Sequence, residues 1–540
     1  MGAKPHPPPP APQPVAVLGR RPQIARSMRL RLALLVVTLL VSPALTGGAM
    51  LAGQEASPYV PIGHWTTPYL EHLIAAGVID DPSPLTRPLR RSDVLRALET
   101  VDTLRLSRAT LATVRRLKAA LASGQRGPYV RVDGGAGAAA ANYARRDPLA
   151  AIDSTGPRRS GPGHGTANAD LDLALVTSHV VAVTHLQLDT RLKYDPDWFG
   201  KKNRAIAGRT AEAYVDARWK FGELFFGRLD RNWGPPGIQG LLLSANPYGL
   251  DHLAFAVGPP RIQLQAIATQ LEDRDSSGAV VHRFMMQHRL LFTPGRWGLA
   301  LWEGSVLSGT ARSFELWYLN PLNSGVLEQW NNGGNVNSFV GLDFERRGKV
   351  TLFGQLMLDD IQVDRAGAGD QKPVSYALTV GTQGAVGGTA TVWRAWYTRV
   401  TNLTYRNEDD LQVPLYHSLG TGRDFADYDQ VTVTLGLLPR VGLLLTPELT
   451  FLRQGEGDPR QPHPPVTAYP TTPTIFQGVV ERTLRGAVTG TFLATDRLSL
   501  GFDAGVHRIT NFQHVSGDSR TRFLGSVSVS YRFGFARPLQ

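Results

Sequence analysis

The chain of 540 residues contains no cysteine. That absence excludes thiolate metal sites, iron–sulfur clusters, disulfides and cysteine nucleophiles together. It also excludes a lipoprotein anchored through an N-terminal cysteine. Charge is scarce at 19%, and the hydrophobic fraction of 42% is slightly low for a chain of this length. Few charges alongside many aromatics exclude disorder throughout. Long apolar runs are lacking too: Leu32–Val41 has about half of the roughly 20 residues a spanning helix needs. No nucleotide-binding glycine loop, GxSxG elbow or HExxH helix is present. No enzyme activity and no cofactor are therefore expected.

What the sequence does have begins with an address. Residues 1–27 are proline-rich and aperiodic. Met28, Arg29 and Arg31 then precede the apolar run, and Ser42, Pro43 and small residues follow through Ala52. A basic region, an apolar region and a small-residue cleavage zone predict a secretory signal ending near Ala49 or Ala52. Residues 1–52 carry six of the basic residues and no acid, so a mature chain of 488 residues keeps 51 basic and 45 acidic residues. The net charge of +12 falls to +6, which is no nucleic-acid footprint. A chain without cysteine also suits passage through an oxidising periplasm.

Residues 57–124 read as a small helical region. Thr67-Pro68 predicts a cap and first-turn proline, with Leu70, Leu73 and Ile74 at helical spacing and Gly77 as a stop. Ser92 predicts a second start, before Val94, Leu95, Leu98 and Val101. Ser107 predicts a third, before Leu111, Val114, Leu117 and Leu121, with Gly124 as its end. The stretch from His64-Trp65 to Arg91 resembles a degenerate S-layer-homology repeat, which implies contact with peptidoglycan. Helices packing on a larger body are the alternative.

From Pro128 to residue 540 the period changes to two. Phe523, Gly525, Val527, Val529, Tyr531, Phe533 and Phe535 share one face, and Arg522, Leu524, Ser526, Ser528, Ser530 and Arg532 the other. In 211–221, Ala211, Ala213, Val215, Ala217, Trp219 and Phe221 oppose Glu212, Tyr214, Asp216, Arg218 and Lys220. Asp170 and Asp172 alternate with apolar residues, as on a wet lumen wall. Connections alternate as well: 508–521 long, 494–497 short, 453–479 long, 438–440 short, 401–429 long, 384–388 short, 360–374 long, 347–349 short. Long outer loops and short periplasmic turns are the habit of an outer-membrane barrel. Because backbone polar groups must pair within hydrocarbon, the sheet must close. The fold class expected is all-β transmembrane: an antiparallel outer-membrane β-barrel of about 18 strands, in contact with membrane lipid and preceded by the periplasmic helices.

Two stretches break the alternation. The first runs Gly227–Asn246 and the second Phe314–Asn335. They concentrate Arg228, Asp230, Arg231, Trp233, Trp317, Asn320, Trp330, Asn331, Asn332 and Asn335. Trp covers a sugar ring and donates through its N–H, Asn both donates and accepts, and Arg grips a carboxylate with two hydrogen bonds. That mixture suits an acidic polysaccharide. The competing reading is structural, with Gly, Pro and Asn making turns and Arg–Asp pairs latching a barrel interior. Asn407-Glu408-Asp409-Asp410 offers oxygen ligands for calcium without the EF-hand pattern, and otherwise reads as a solvated loop cluster.

The pattern Gly-Arg-x-Asp-x-x-Trp-Gly-Pro at 227–235, then Leu-Leu-Leu-Ser-x-Asn at 241–246, resembles the Wzi-type capsule assembly proteins of the bacterial outer membrane. Glu-Leu-Trp-Tyr-Leu-Asn-Pro at 315–321 and the helices before the barrel add to the likeness, which spans about 58–535. It implies about 18 strands with periplasmic helices, and a lectin-like role holding capsular or other exopolysaccharide at the cell surface. The chain departs from the usual terminal aromatic of barrel-assembly signals: Phe535 is followed by Ala-Arg-Pro-Leu-Gln540, read as a short tail. A porin or polysaccharide exporter is the alternative, motivated by the charged face of 211–221.

Overall fold

The computed structural model describes residues 56–122, 127–143, 160–195, 198–276, 278–332, 335–360, 367 and 371–539. The predicted leader and the Gly124 stop lie outside the described residues.

Eighteen antiparallel strands close into a barrel. They are β1 (Tyr129–Tyr143), β2 (Ser160–Val176), β3 (Val180–Asp189), β4 (Ala207–Trp219), β5 (Gly222–Arg228) and β6 (Asp251–Val257). Then come β7 (Ile262–Gln270), β8 (Ala279–Phe292), β9 (Trp297–Gly309), β10 (Val336–Arg346), β11 (Val350–Asp360) and β12 (Ser375–Ala385). The last six are β13 (Thr391–Val400), β14 (Tyr428–Arg440), β15 (Leu443–Gln454), β16 (Glu481–Leu493), β17 (Leu498–Thr510) and β18 (Ser519–Pro538). β18 pairs with β1 from Ser526↔Ala141 to Pro538↔Tyr129, so no edge is left open. Among the described residues no helix is long and apolar enough to cross a membrane.

The alternation predicted for β4 and β18 is present. Trp219, Val527, Tyr531, Phe533 and Phe535 are exposed on the outer surface, while Tyr214, Asp216 and Leu524 are buried. Leu171 and Leu173 likewise face out, leaving Asp170 and Asp172 on the inner face. Trp219, Phe221, Phe292, Trp297, Phe533 and Phe535 form an aromatic girdle at the short-turn end.

Strand boundaries differ from expectation by a few residues at several connections, and at two of them in kind. The residues 438–440 expected to turn belong to β14, and the turn is 441–442. Pro439 has no N–H for the ladder, and the β14–β15 register shifts between Leu437 and Arg440 to accommodate it. The residues after Phe535 are no tail: Ala536–Pro538 stay paired with β1.

Among the described residues three α-helices precede the barrel: α1 (Thr67–Ala75), α2 (Arg91–Glu99) and α3 (Arg108–Leu121). Thr66, not Thr67, is the cap of α1, and Gly77 follows its end at φ +65°. Ser92 does not cap α2; the helix starts at Arg91, and Ser92 N donates to Ser57 Oγ at 2.9 Å. Ser107 does cap α3, its Oγ accepting from Thr110 N at 3.1 Å. Leu70, Leu73, Val94, Leu98, Val114 and Leu117 form one core with Leu438, Leu444 and Leu493 from the short-turn end of the barrel. Arg116 donates to Leu493 O at 2.9 Å and His72 Nε2 meets Thr389 O at 3.1 Å. The helices thus pack on the larger body.

Candidate functional site

The barrel wall is low at β5 and β6, which have 7 residues each. The connection between them, 229–250, folds inward and is mostly buried. It crosses to the far wall, where Leu241 N donates to Gln355 Oε1 at 2.8 Å and Gln355 Nε2 donates to Trp233 O at 3.0 Å. A second infolded segment, 401–427, meets it. Ser244 Oγ donates to Gly422 O at 2.6 Å, Asn246 Nδ2 to Gly420 O at 2.8 Å and Thr421 Oγ1 to Leu242 O at 3.0 Å. Arg283 of β8 fastens that segment by donating to Leu411 O, Val413 O and Leu415 O at 2.6–3.2 Å.

The short-turn end contributes a third piece. Thr86 and Arg87 pair with Trp233 and Asn232 as a two-residue ladder. Arg90 reaches Asp216 of β4 at 2.9 Å and also pairs with Glu223 of β5. Burial opposes a charge on Arg90, but Glu223 and Asp216 outweigh it and hold the guanidinium well above its ordinary pKa. The lumen is therefore occupied by the chain's own segments from both ends.

The ten candidate residues divide between two places. Trp233 is 5% exposed, with the Arg289 guanidinium 5.1 Å from the centre of its ring. Arg231 lies 4.4 Å over Phe225, and its Nε donates to His252 Nε2 at 2.8 Å. Asp230 is half-buried beside it. These three sit in the infolded loop. Arg228 ends β5 and grips Asp251 across the strand pair at 2.5 and 3.0 Å, with Asp251 exposed.

The second group lies on the long-loop side, between β9 and β10. Two short helices, α4 (Leu316–Leu319) and α5 (Gly325–Asn332), occupy this connection. Trp317 is 38% exposed and donates through Nε1 to Glu315 Oε2 at 2.9 Å. Asn320 is exposed and accepts Leu322 N at 3.1 Å, closing a turn. Asn335 is exposed, and its carbonyl accepts from Arg312 at 2.8 Å. Trp330, Asn331 and Asn332 close α5, and their side chains lie outside the described residues. The structure does not bring the two groups into one cluster.

Sequence reading missed a third group. Trp198, Phe199, Tyr248, Tyr416 and His417 come from three separate long connections and meet at the outer mouth. Phe199 is 47% exposed and stacks on His417 with ring centres 4.1 Å apart. Tyr416 lies edge-on to both at 6.1 and 4.5 Å, and Trp198 and Tyr248 meet edge-on at 5.0 Å beneath. Burial holds the His417 imidazole below its ordinary pKa. Lys201, Lys202 and Arg204, which follow Phe199 in the chain, are exposed. Arg228 stands within Coulombic reach of Tyr416, which joins one predicted residue to this patch. The signal available in sequence was Trp198-Phe199 followed by Lys201, Lys202 and Arg204. A flat ring with cations beside it can stack on a sugar and hold a carboxylate.

The Asn407–Asp410 oxygens serve turns. Asp409 accepts Leu411 N and Gln412 Nε2, Asn407 Oδ1 accepts Asp409 N, and Glu408 accepts the Tyr469 hydroxyl.

No protein-family model matches the chain, and no curated protein matches it significantly. Among solved structures, the chain is similar to Wzi of Escherichia coli, an outer membrane protein involved in group 1 capsule assembly and described as a carbohydrate-binding β-barrel. The likeness covers 90% of this chain and 100% of Wzi at 16% identity, with a TM-score of 0.57. The Pseudomonas aeruginosa outer membrane protein opdK aligns over 75% of this chain and 99% of its own, at 13% identity and a TM-score of 0.43. OprD of the same organism aligns over 76% and 97%, at 11% identity and a TM-score of 0.42. The likeness to Wzi bears on the fold: this chain has a Wzi-like outer-membrane barrel.

Proposed function

We propose that this protein is a non-enzymatic, lectin-like anchor of the outer membrane that holds an acidic capsular or other exopolysaccharide at the cell surface. The observation that carries this reading is the lumen, occupied from both ends by 229–250, 401–427 and the segment around Arg87–Arg90. Such filling narrows the space through which a solute could pass. Above it stand the Phe199–His417 stack and the exposed Lys201, Lys202 and Arg204 that follow Phe199 in the chain, and the exposed Trp317 and Asn320 add a second contact region. The carbohydrate-binding barrel Wzi, similar in fold, supports the same class of ligand.

In this reading a cleaved leader exports the chain, the short turns and helices face the periplasm, and the long connections face out. Purified protein is expected to bind the organism's own surface polysaccharide and to give no stable channel in planar bilayers. A stable open channel without glycan affinity supports the porin reading instead. Peptidoglycan contact is checked by pull-down of the full chain.

A further inference from the structure

Strands β2, β3 and β4 carry a group of ionisable side chains on the lumen wall that the glycan reading does not use. Asp170 and Asp172 stand two residues apart on β2, on the same face. His185 of β3 is the cross-strand partner of Asp172, and Glu212 of β4 is the cross-strand partner of His185. The β3–β4 register shifts between His185 and Leu186, leaving Ala211 as an extra residue. Such a bulge re-aims the side chains beside it.

One oxygen of Asp170, one oxygen of Asp172 and one ring nitrogen of His185 lie within 4.8 Å of one another. His185 Nδ1 is 3.4 Å from Asp172 Oδ1, and its Nε2 is buried with no hydrogen-bond partner. Glu212 is 7% exposed, and its side chain makes no hydrogen bond or ion pair with any described residue. Its strongest charged neighbours include Asp230 and Asp172, both of its own sign.

Of the nearby arginines, three have partners of their own, while Arg91, a charged neighbour of Asp172, keeps Nε and Nη1 buried without a hydrogen-bond partner. Arg131 holds Asp133, Arg209 holds Gln187, and Arg532 holds Ser499 and lies over Trp65. Among the described residues none of Asp170, Asp172 or Glu212 pairs with lysine or arginine. Carboxylates gathered on a partly buried wall are relieved either by protonation or by a bound cation.

We propose that Asp170, Asp172 and His185 bind one divalent first-row transition ion on the lumen wall, with Glu212 as the adjoining carboxylate. Mixed oxygen and imidazole donors suit zinc, manganese or cobalt, and the absence of thiolate disfavours cuprous copper. Zinc bonds of about 2.0–2.2 Å place tetrahedral donors about 3.4 Å apart, which small side-chain rotations reach from the present spacing. Asp170 and Asp172 are only half-buried, so open coordination positions face the lumen.

The test is isothermal titration of chelator-treated full-length protein in detergent with zinc chloride, with cobalt chloride in parallel for its visible absorption. The expected result is one ion per chain. D172N and H185Q each weaken zinc binding at least tenfold and change the cobalt spectrum, while keeping the heat-modifiable gel mobility of a folded barrel. Should D172N fail to fold, D170N takes its place. No saturable binding, or binding unchanged in a D170N/H185Q double variant, overturns the proposal.

Discussion

The guanidinium of Arg289 stands 5.1 Å above the ring of Trp233 while its Nη2 donates to Asp343 at 3.1 Å and to Leu85 O at 2.9 Å. One side chain thereby ties the wall strand β8 to the infolded loop, to β10 and to the segment between α1 and α2. Arg289 and Asp343 are both buried, so removing one strands the other's charge. Arg289→Ala is expected to destabilise the barrel by about 3–5 kcal/mol, read as a lower unfolding midpoint in detergent. An unchanged midpoint would mean that Trp233 is held by its backbone pairing alone.

The same latch is expected to limit conduction. Replacing residues 234–248 with a short flexible linker removes the hydrogen bonds to Gln355, Gly420 and Gly422. The expected outcome is measurable single-channel conductance in planar bilayers where the parent chain shows none. Continued silence in the shortened protein would place the barrier in 401–427 or the N-terminal segment.

At the outer mouth, Phe199→Ala removes an exposed ring and should leave folding intact. Stacking of this kind contributes about 0.5–1.5 kcal/mol, so polysaccharide affinity should fall roughly two- to tenfold. Binding by glycan array or surface plasmon resonance checks this. A Trp317→Ala variant measured alongside reports whether the α4 region shares the contact.

Charge reversal at Lys201, Lys202 and Arg204 should slow association with an acidic polysaccharide and flatten its salt dependence, because exposed cations act mainly through steering. A neutral polysaccharide should be indifferent. Equal loss for both would assign these residues to loop structure.

Docking of the helical region should depend on pH. Burial, aided by Arg91, pushes the His64 imidazole down to about 3, and burial pushes His72 below its ordinary value against the Thr389 carbonyl. Both are neutral when docked, whereas an unfolded histidine takes a proton near pH 6.5. The docked state is therefore fully favoured above about pH 6.5 and loses stability as pH falls below it. Protease cleavage within 57–122 should accelerate at pH 5 and not at pH 8.

The outer wall was legible because a membrane strand must alternate. Every second residue faces lipid, so the Phe523–Phe535 series and the long–short rhythm of connections marked nine strands after residue 338, with room for a similar number before it. Where local chemistry competes with that period, the reading slipped: Pro439 mimicked a turn, and Ala536–Pro538 lacked the pattern yet kept the pairing.

Sequence by itself determined a closed, lipid-facing sheet of about 18 strands, a helical prelude and two motifs suited to turns or to sugar. Tertiary structure decided which way each motif points. Trp233 went inward because the seven-residue strands β5 and β6 leave a low wall over which 229–250 folds. Phe199 and His417, more than two hundred positions apart, meet at the mouth, and Asp172, His185 and Glu212 form one row. No periodicity encodes such meetings, since strand register and loop infolding set them through long-range hydrogen bonds that exist only once the barrel has closed.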